Sequence, residues 1–447
     1  MRAEPRPSSP SGPRGPAGLA PEDELLLLLS RTTLGAETEA RALGLLRGDP
    51  SWPAILRQGR AHGVLPLVTR TLERAGFPGV PADVRAELET ARHLNAALNA
   101  LFARELVRVL EGLGAAGVPV IPLKGVALSE SLYGDPLLRV SSDIDILVPR
   151  RAAASALRLL VDLGYQRGPG ERPVAAADLG LLLRSNMEYG FVSPAPFSCP
   201  VELHWDIAWR WPHDGAAALD LWAEARPREL WGVKAHALSA EWELLYLAVH
   251  AARHGWQGLK WLVDVHEVCV RDGLRWDRLT DKATRFGLGE ILGITLGACH
   301  GLFGTPLPPR VSVRPVPSWL SVFPAAPGAS SIWQEALLPA RLFRRPSEKV
   351  GYLLRLLFVP TLAERRLIRL PAALEGLYYP LRPLRLGGRW GTDMVRAALH
   401  VSRAAGDRPV RLAPEDRKEL DSFTESSRSS AIERLDRSTD QGQRENA

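Results

Sequence analysis

The run "DIDILV" at 143–148 sets acid against apolar residue and then continues apolar. Alternation of period two is the signature of a half-buried strand. It sends Ile144 and Ile146 to one face and Asp143 and Asp145 to the other. A buried carboxylate without a partner is costly, so the acidic face has to meet a cation or water. The run therefore asks for a sheet with one face in a core and the other reserved for charge.

The surrounding chain supplies such a sheet. "VPVIPL" (118–123) is short, apolar and β-branched, and predicts a strand. "GVALSESLYG" (125–134) predicts a short helix, and "RAAASALRLLVDLG" (151–164) a second helix ending at Gly164. "MEYGFVS" and "CPVELHWDI" predict two more strands, joined by a proline-containing turn at 194–200. Strand, helix, strand, helix and hairpin make a small mixed α/β unit. Helical patterns flank it, including the long amphipathic stretch from Pro81 to Gly117 and the segment opened by Ser239.

The expected organisation is a disordered leader (1–20), an N-terminal helical region (21–115), the mixed core (116–236) and a helical domain packing on it (237–310). A basic, mostly helical region (311–405) and a disordered tail (406–447) follow. A length of 447 residues accommodates two or three domains. The Pro-, Gly- and Ser-rich N-terminus lacks the apolar stretch of a secretory signal, and "LLLLL" at 25–29 is too short to span a bilayer. Cys199, Cys269 and Cys299 show neither zinc spacing nor a disulfide framework, and read as core thiols of a reducing compartment. A soluble, cytoplasmic protein is the expectation.

Two carboxylates two residues apart on a strand repel unless a cation lies between them. Hard oxygen donors at that spacing suit Mg²⁺, which completes its shell with water and substrate phosphates. A third acid on a neighbouring strand would allow two ions and in-line displacement at phosphorus. "VELHWDI" offers Glu202, nearest the strand's middle, with Asp206 as the competing choice; His204 shares their face. Lys124 and Gly125 close the first strand and open a helix, where backbone N–H groups and an ammonium attract phosphate. Arg139 and Ser142, just before the acidic strand, could complete that cradle. The P-loop pattern is absent. Taken alone, D-x-D is more often a pair of surface acids; the apolar frame, Lys-Gly and the E-x-H strand together favour a site. Tyr133 and Trp205 read as core.

The run "LKGVAL…YGDPLLRVSSDIDILV", followed by "VELHW", resembles the uncharacterised nucleotidyltransferase family of the polymerase-beta-like superfamily. The likeness extends to "SWPAILRQGRAHGVLPLV" upstream and "HAARHGWQGLKWLVDV" downstream, roughly residues 50–270. It implies an α+β fold, with a small mixed sheet as nucleotidyltransferase core and helical regions on both sides. It also implies that Asp143, Asp145 and Glu202 hold two Mg²⁺ ions and carry catalysis. A nucleotide, ATP or another NTP, would lose its nucleoside monophosphate to an acceptor hydroxyl and release pyrophosphate. Lys124-Gly125 stands where the superfamily more often has Gly-Ser or Gly-Gly, and Glu202 where Asp is common.

His250 and His254 lie one helical turn apart and read either as residues of the acceptor cleft or as packing against Trp256 and Trp261. With Asp264 and His266 they would suit a metal-dependent phosphohydrolase, but the adjacent His-Asp pair of such a site is missing. Residues 341–390 carry eleven Lys/Arg against three Glu, mixed with Leu and Phe. That composition suits a peripheral membrane or partner contact, or simply a solvated helical surface; no aromatic-interleaved nucleic-acid motif is present. A non-catalytic nucleotide-binding or scaffold protein that keeps the fold is the alternative to an enzyme.

Overall fold

The computed structural model describes residues 19–167, 174–194, 198–207, 216–315, 340, 342–343 and 346–388. The expected disordered tail lies outside these residues, as do the leader up to residue 18, the hairpin tip at 195–197 and, within 311–405, residues 316–339, 341, 344–345 and 389–405. The chain divides into two compact units, Met1–Arg382 and Pro383–Ala447. Of the second, residues 383–388 are described and are helical.

The first unit opens with α1 (Pro21–Leu29), α2 (Ala36–Arg47), α3 (Trp52–His62), α4 (Leu65–Arg74) and the long α5 (Ala82–Ala115). The mixed segment follows: β1 (Ile121–Pro122), α6 (Gly125–Tyr133), β2 (Ile144–Leu147), α7 (Ala153–Asp162), α8 (Ala176–Ser185), β3 (Glu188–Val192) and β4 (Pro200–His204). Then come α9 (Ala216–Ala223), the hairpin β5 (Arg226–Leu230) and β6 (Val233–Ala237), and α10 (Ala240–Arg253), α11 (Leu259–Val270), α12 (Trp276–Arg285) and α13 (Gly289–Phe303). Ser239 caps α10 by accepting from the Trp242 N–H, as its position ahead of an apolar run predicts.

The sheet has four strands in the order β1-β2-β4-β3. β1 runs antiparallel to β2, β2 parallel to β4, and β3 antiparallel to β4. The mixed α and β architecture expected from the sequence is present. The first strand is shorter than "VPVIPL" suggests, because Pro119 and Pro122 cannot donate to a ladder. The segment is pinned on both sides nonetheless: Leu123 N–H donates to the Asp145 carbonyl at 3.0 Å, and His236 N–H of β6 to the Val120 carbonyl at 2.8 Å. The "VELHWDI" strand likewise ends at His204, and Asp206 lies beyond the ladder. There the Trp205 and Asp206 N–H groups turn to the Met187 carbonyl, and the Asp206 carboxylate accepts from Ile207 N–H at 2.8 Å.

One face of the sheet is apolar. Ile144, Ile146, Tyr189, Phe191, Val201 and Leu203 pack with Phe102, Leu106, Val109 and Leu110 of α5 and Ala156, Leu157 and Leu160 of α7. A second core gathers α1–α4 and the start of α5 with α10, α11 and α13, so Leu25–Leu88 and Trp242–Phe303 share an interior. It reaches β1 and β2 through Ile121, Leu123 and Leu147. The charged face of the sheet is thereby backed by one core and bordered by the other. Among the described residues no helix is long and apolar enough to cross a membrane.

Within residues 346–379, Val350, Leu354 and Phe358 of the helix Pro346–Phe358 are exposed, as are Leu367, Ile368, Leu374 and Leu377.

Candidate active site

Parallel pairing of β2 with β4 sets Asp145 beside Glu202, and antiparallel pairing of β3 with β4 sets Glu188 opposite His204. Side chains two apart on a strand share a face, so the ladder gathers Asp145, Glu202, His204 and Glu188 on one side. One ligand atom from each of Asp145, Glu202 and His204 lies within 4.8 Å of the others.

His204 is the hub. Its Nε2 is 3.0 Å from Asp145 Oδ1 and 3.5 Å from Glu202 Oε2, and its Nδ1 is 3.2 Å from Glu188 Oε2. Glu188 is in turn clamped by Arg253 of α10 through two hydrogen bonds of 3.0 Å. Burial opposes a charge on the imidazole, but the hydrogen bonds to Asp145 and Glu202 and the charge of Glu188 outweigh it and raise its pKa to about 9.

Lys124 sits in the second gap. Its Nζ is 3.3 Å from Asp143 Oδ2 and 3.0 Å from Asp145 Oδ2. The space between the D-x-D acids, where the sequence called for a cation, thus holds an ammonium. Burial of Lys124 would favour its neutral form, yet Asp145, Asp143 and Glu202 raise its pKa. Burial also works against the charge on Asp145, but Lys124 and His204 hold that carboxyl well below the usual range. Asp145 remains ionised because it has two cationic neighbours.

Gly125 has φ +63°, and a methyl built on it would lie 3.4 Å from the Asp143 carbonyl and 3.6 Å from Ser141 Oγ. The positive φ favours glycine at the start of α6, while the neighbours leave room for ordinary contact. The Ser141 hydroxyl is buried there without a hydrogen-bond partner. Ser142, by contrast, donates to Asp143 Oδ1 at 3.2 Å in an exposed position. Sequence reading chose Ser142 and missed Ser141, since only the fold shows which of two consecutive serines faces the helix start.

Arg139 does not line an open cradle. It is 4% exposed, and its Nε donates to Asp264 Oδ2 at 2.8 Å while Tyr133 Oη donates to Asp264 Oδ1 at 2.7 Å. The loop between α6 and β2 is held by further bonds. Asn95 donates to the Leu137 carbonyl at 2.6 Å, Asn99 to those of Pro136 and Arg139 at 2.8 Å each, and Lys260 to that of Val140 at 3.3 Å. Helices α5 and α11 therefore fix the segment that delivers Asp143. Lys260 loses basicity, to about 8, through burial and the proximity of Arg139.

His250 and His254 gather round Trp261: the His254 ring stacks on the indole at 4.4 Å and His250 meets it edge-on at 5.6 Å. Trp256, the other expected packing partner, instead donates to Thr295 at 2.8 Å. Burial, then the positive charges of Arg253 and Lys124, depress His254 to about 4. Burial pushes His250 down too, with Lys124 the next cause, so both rings are neutral near neutral pH. Asp264 serves Arg139 and Tyr133, and His266 bonds Thr305 at 2.8 Å, so the four phosphohydrolase candidates do not form a ligand set. All three cysteines are free and buried.

The cluster suits a divalent cation on the chemistry of its donors. Asp145 Oδ2 is buried and accepts no aligned hydrogen bond, although Lys124 Nζ is 3.0 Å away. A carboxylate oxygen paired by charge but not by a directed donor keeps lone pairs for an ion. Glu202, with its side chain 36% exposed, opens the cluster to solvent. Of the three expected metal acids, Asp145 and Glu202 belong to this group and Asp143 does not; Asp206 is also outside it.

Over residues 48–304, more than half of the chain, the sequence matches the model of a family described as uncharacterised nucleotidyltransferase. Neither the curated proteins nor the solved structures give a match. The matched span contains the whole sheet, the acid cluster and the helices that border it, and the chain belongs to this nucleotidyltransferase family.

Proposed function

We propose that the protein transfers a nucleoside monophosphate, AMP from ATP in the first instance, to a hydroxyl of an acceptor and releases pyrophosphate. The observation that carries this reading is the register of β2 and β4, which sets Asp145 beside Glu202 on the face away from the core. Asp145 and Glu202 would hold a divalent ion, Mg²⁺ or a relative of it, and Asp143 a second. Such ions supply charge neutralisation at the phosphates and lower the pKa of a bound hydroxyl.

The chain's own groups account for the rest. The N-terminus of α6, with Gly125, presents backbone N–H groups to an anion, and the buried Ser141 hydroxyl offers one more donor. Lys124 has a flexible stem, so its ammonium can swing from the carboxylates to a phosphate oxygen. Positioning and electrostatics of this kind account for most of the rate in phosphoryl chemistry. Glu202, the most exposed of the acids around His204, faces the side from which an acceptor hydroxyl would approach.

The test is to incubate the protein with ATP labelled at the α-phosphate, a divalent ion and fractionated lysate, and to score both pyrophosphate and the size class of any labelled product. Label transfer that Asp145→Asn abolishes supports the reading. Nucleotide binding without turnover, unchanged in Asp145→Asn, would establish a binding or scaffold protein instead.

A further inference from the structure

The resting site contains an imidazole where a carboxylate-only magnesium site has none. His204 Nε2 lies 3.0 Å from Asp145 Oδ1 and 3.5 Å from Glu202 Oε2. Its Nδ1 is occupied by Glu188 at 3.2 Å, and Glu188 is fixed by the two-pronged contact of Arg253. A histidine whose one nitrogen donates to a carboxylate has its tautomer and ring plane set, and turns the lone pair of the other nitrogen outward. Here that nitrogen is aimed between two acid oxygens, donating its proton to Asp145, and an ion bound between the same oxygens would take that proton's place. A histidine that merely balanced charge would not need a second carboxylate held from behind by an arginine.

We propose that His204 is a nitrogen ligand of the ion held by Asp145 and Glu202, that Glu188 is the residue positioning it, and that the site in consequence takes Mn²⁺ in preference to Mg²⁺. The inference rests on the reading that this cluster holds a divalent cation, and adds the identity of the ion. Imidazole suits first-row transition ions, whereas Mg²⁺ demands oxygen donors. Lys124 and Arg253, paired with Asp145 and Glu188, border the cluster as cations and offer no competing ligand.

The test is spectroscopic and needs no turnover. The full chain, labelled with ¹⁵N-histidine and loaded with Mn²⁺ alone, is examined by pulsed EPR, and Mn²⁺ and Mg²⁺ affinities are measured by titration. A ¹⁵N coupling is expected in the wild type, with Mn²⁺ bound at least about tenfold more tightly than Mg²⁺. His204→Gln should abolish the coupling and shrink that ratio. Glu188→Gln should keep the coupling but weaken Mn²⁺ by about 10–100-fold, the usual effect of losing a ligand's outer partner. The labelled wild type keeps the test decisive even if a variant misfolds. Mn²⁺ bound without nitrogen coupling, or an unchanged ratio in a folded His204→Gln, overturns the inference and leaves the metal site standing. Failure of the wild type to bind either ion overturns the metal site itself.

Discussion

Replacing Asp264 by Asn tests whether the helical part of the molecule sets the geometry of the acid strand. Arg139 and Asp264 are 4% and 0% exposed, and the guanidinium cannot shed its proton. The substitution keeps side-chain volume and an oxygen for Tyr133 Oη, and removes one negative charge. Leaving a buried charge without its partner costs about 3–5 kcal/mol, a large fraction of the 5–15 kcal/mol that holds an ordinary domain together. The assay is urea unfolding followed by tryptophan fluorescence, reading the first transition. The double variant Arg139→Met/Asp264→Leu serves as control. Replacing both charges by apolar groups removes the desolvation penalty, and should recover most of the loss except about 1 kcal/mol for the stranded Tyr133 hydroxyl. A further consequence concerns the site. Arg139 lies four residues before Asp143, in the loop that Asn95, Asn99 and Lys260 also hold, so Asp264→Asn should weaken divalent-ion binding without touching any ligand. An Asp264→Asn protein within about 1 kcal/mol of wild type would refute the argument, because it would mean that the pair is not isolated from water.

Lys124→Met should raise the KM for the nucleotide more than it lowers kcat, if the ammonium acts on phosphate; an effect on kcat alone, read from steady-state kinetics, would point elsewhere. Gly125→Ala should weaken nucleotide binding and destabilise the fold by about 1 kcal/mol, since alanine is strained at φ +63°; calorimetry with a non-hydrolysable nucleotide measures the first and thermal unfolding the second. Stability should fall in mild acid. His266 is 8% exposed and burial lowers its pKa to about 4, so the folded state holds it neutral. Its contribution is complete above its unfolded pKa of about 6.5 and is lost as pH falls towards about 4, which amounts to about 2 kcal/mol by pH 5. Urea midpoints at about pH 8 and 5 check this against His266→Gln, which should lessen the dependence by about that amount, His250 and His254 keeping their own share.

The acid strand was legible because its chemistry and its period coincide: Asp145 and Ile146 could not both be explained except by a two-faced strand. The E-x-H strand was legible for the same reason, and the choice of Glu202 over Asp206 followed from centrality along the run. What the sequence could not supply was register. Glu188 begins "EYGFV" and gives no local sign that it will lie opposite His204, because the pairing depends on the hairpin length between β3 and β4. The partner of Arg139 was hidden too: Asp264 is 125 residues away, and a composition rich in arginine offers no way to tell a buried guanidinium from a solvated one. Ser141 and Ser142 are neighbours of the same type, and only the backbone direction entering β2 separates them.

The placement of Lys124 departs furthest from the sequence expectation, and it explains how so many acids coexist on one face. Asp143, Asp145, Glu202 and Glu188 bring four negative charges together; Lys124, His204 and Arg253 answer with three positive ones. Without those cations the carboxylates would raise one another's pKa, and the face would be neutral rather than charged. The counter-charges are not equivalent. Arg253 is locked to Glu188 by two bonds, whereas Lys124 reaches two acids with a single point charge on a rotatable stem. The lysine is thus the cation that an incoming ion can displace most readily, and a triphosphate arriving with that ion gives the displaced ammonium a new partner. Ion and nucleotide should therefore bind with positive cooperativity in the wild type, and Lys124→Met should remove that coupling while strengthening the ion alone. Paired titrations, ion with and without nucleotide, measure it. Coupling equal in the two proteins would mean that Lys124 stays on its carboxylates throughout.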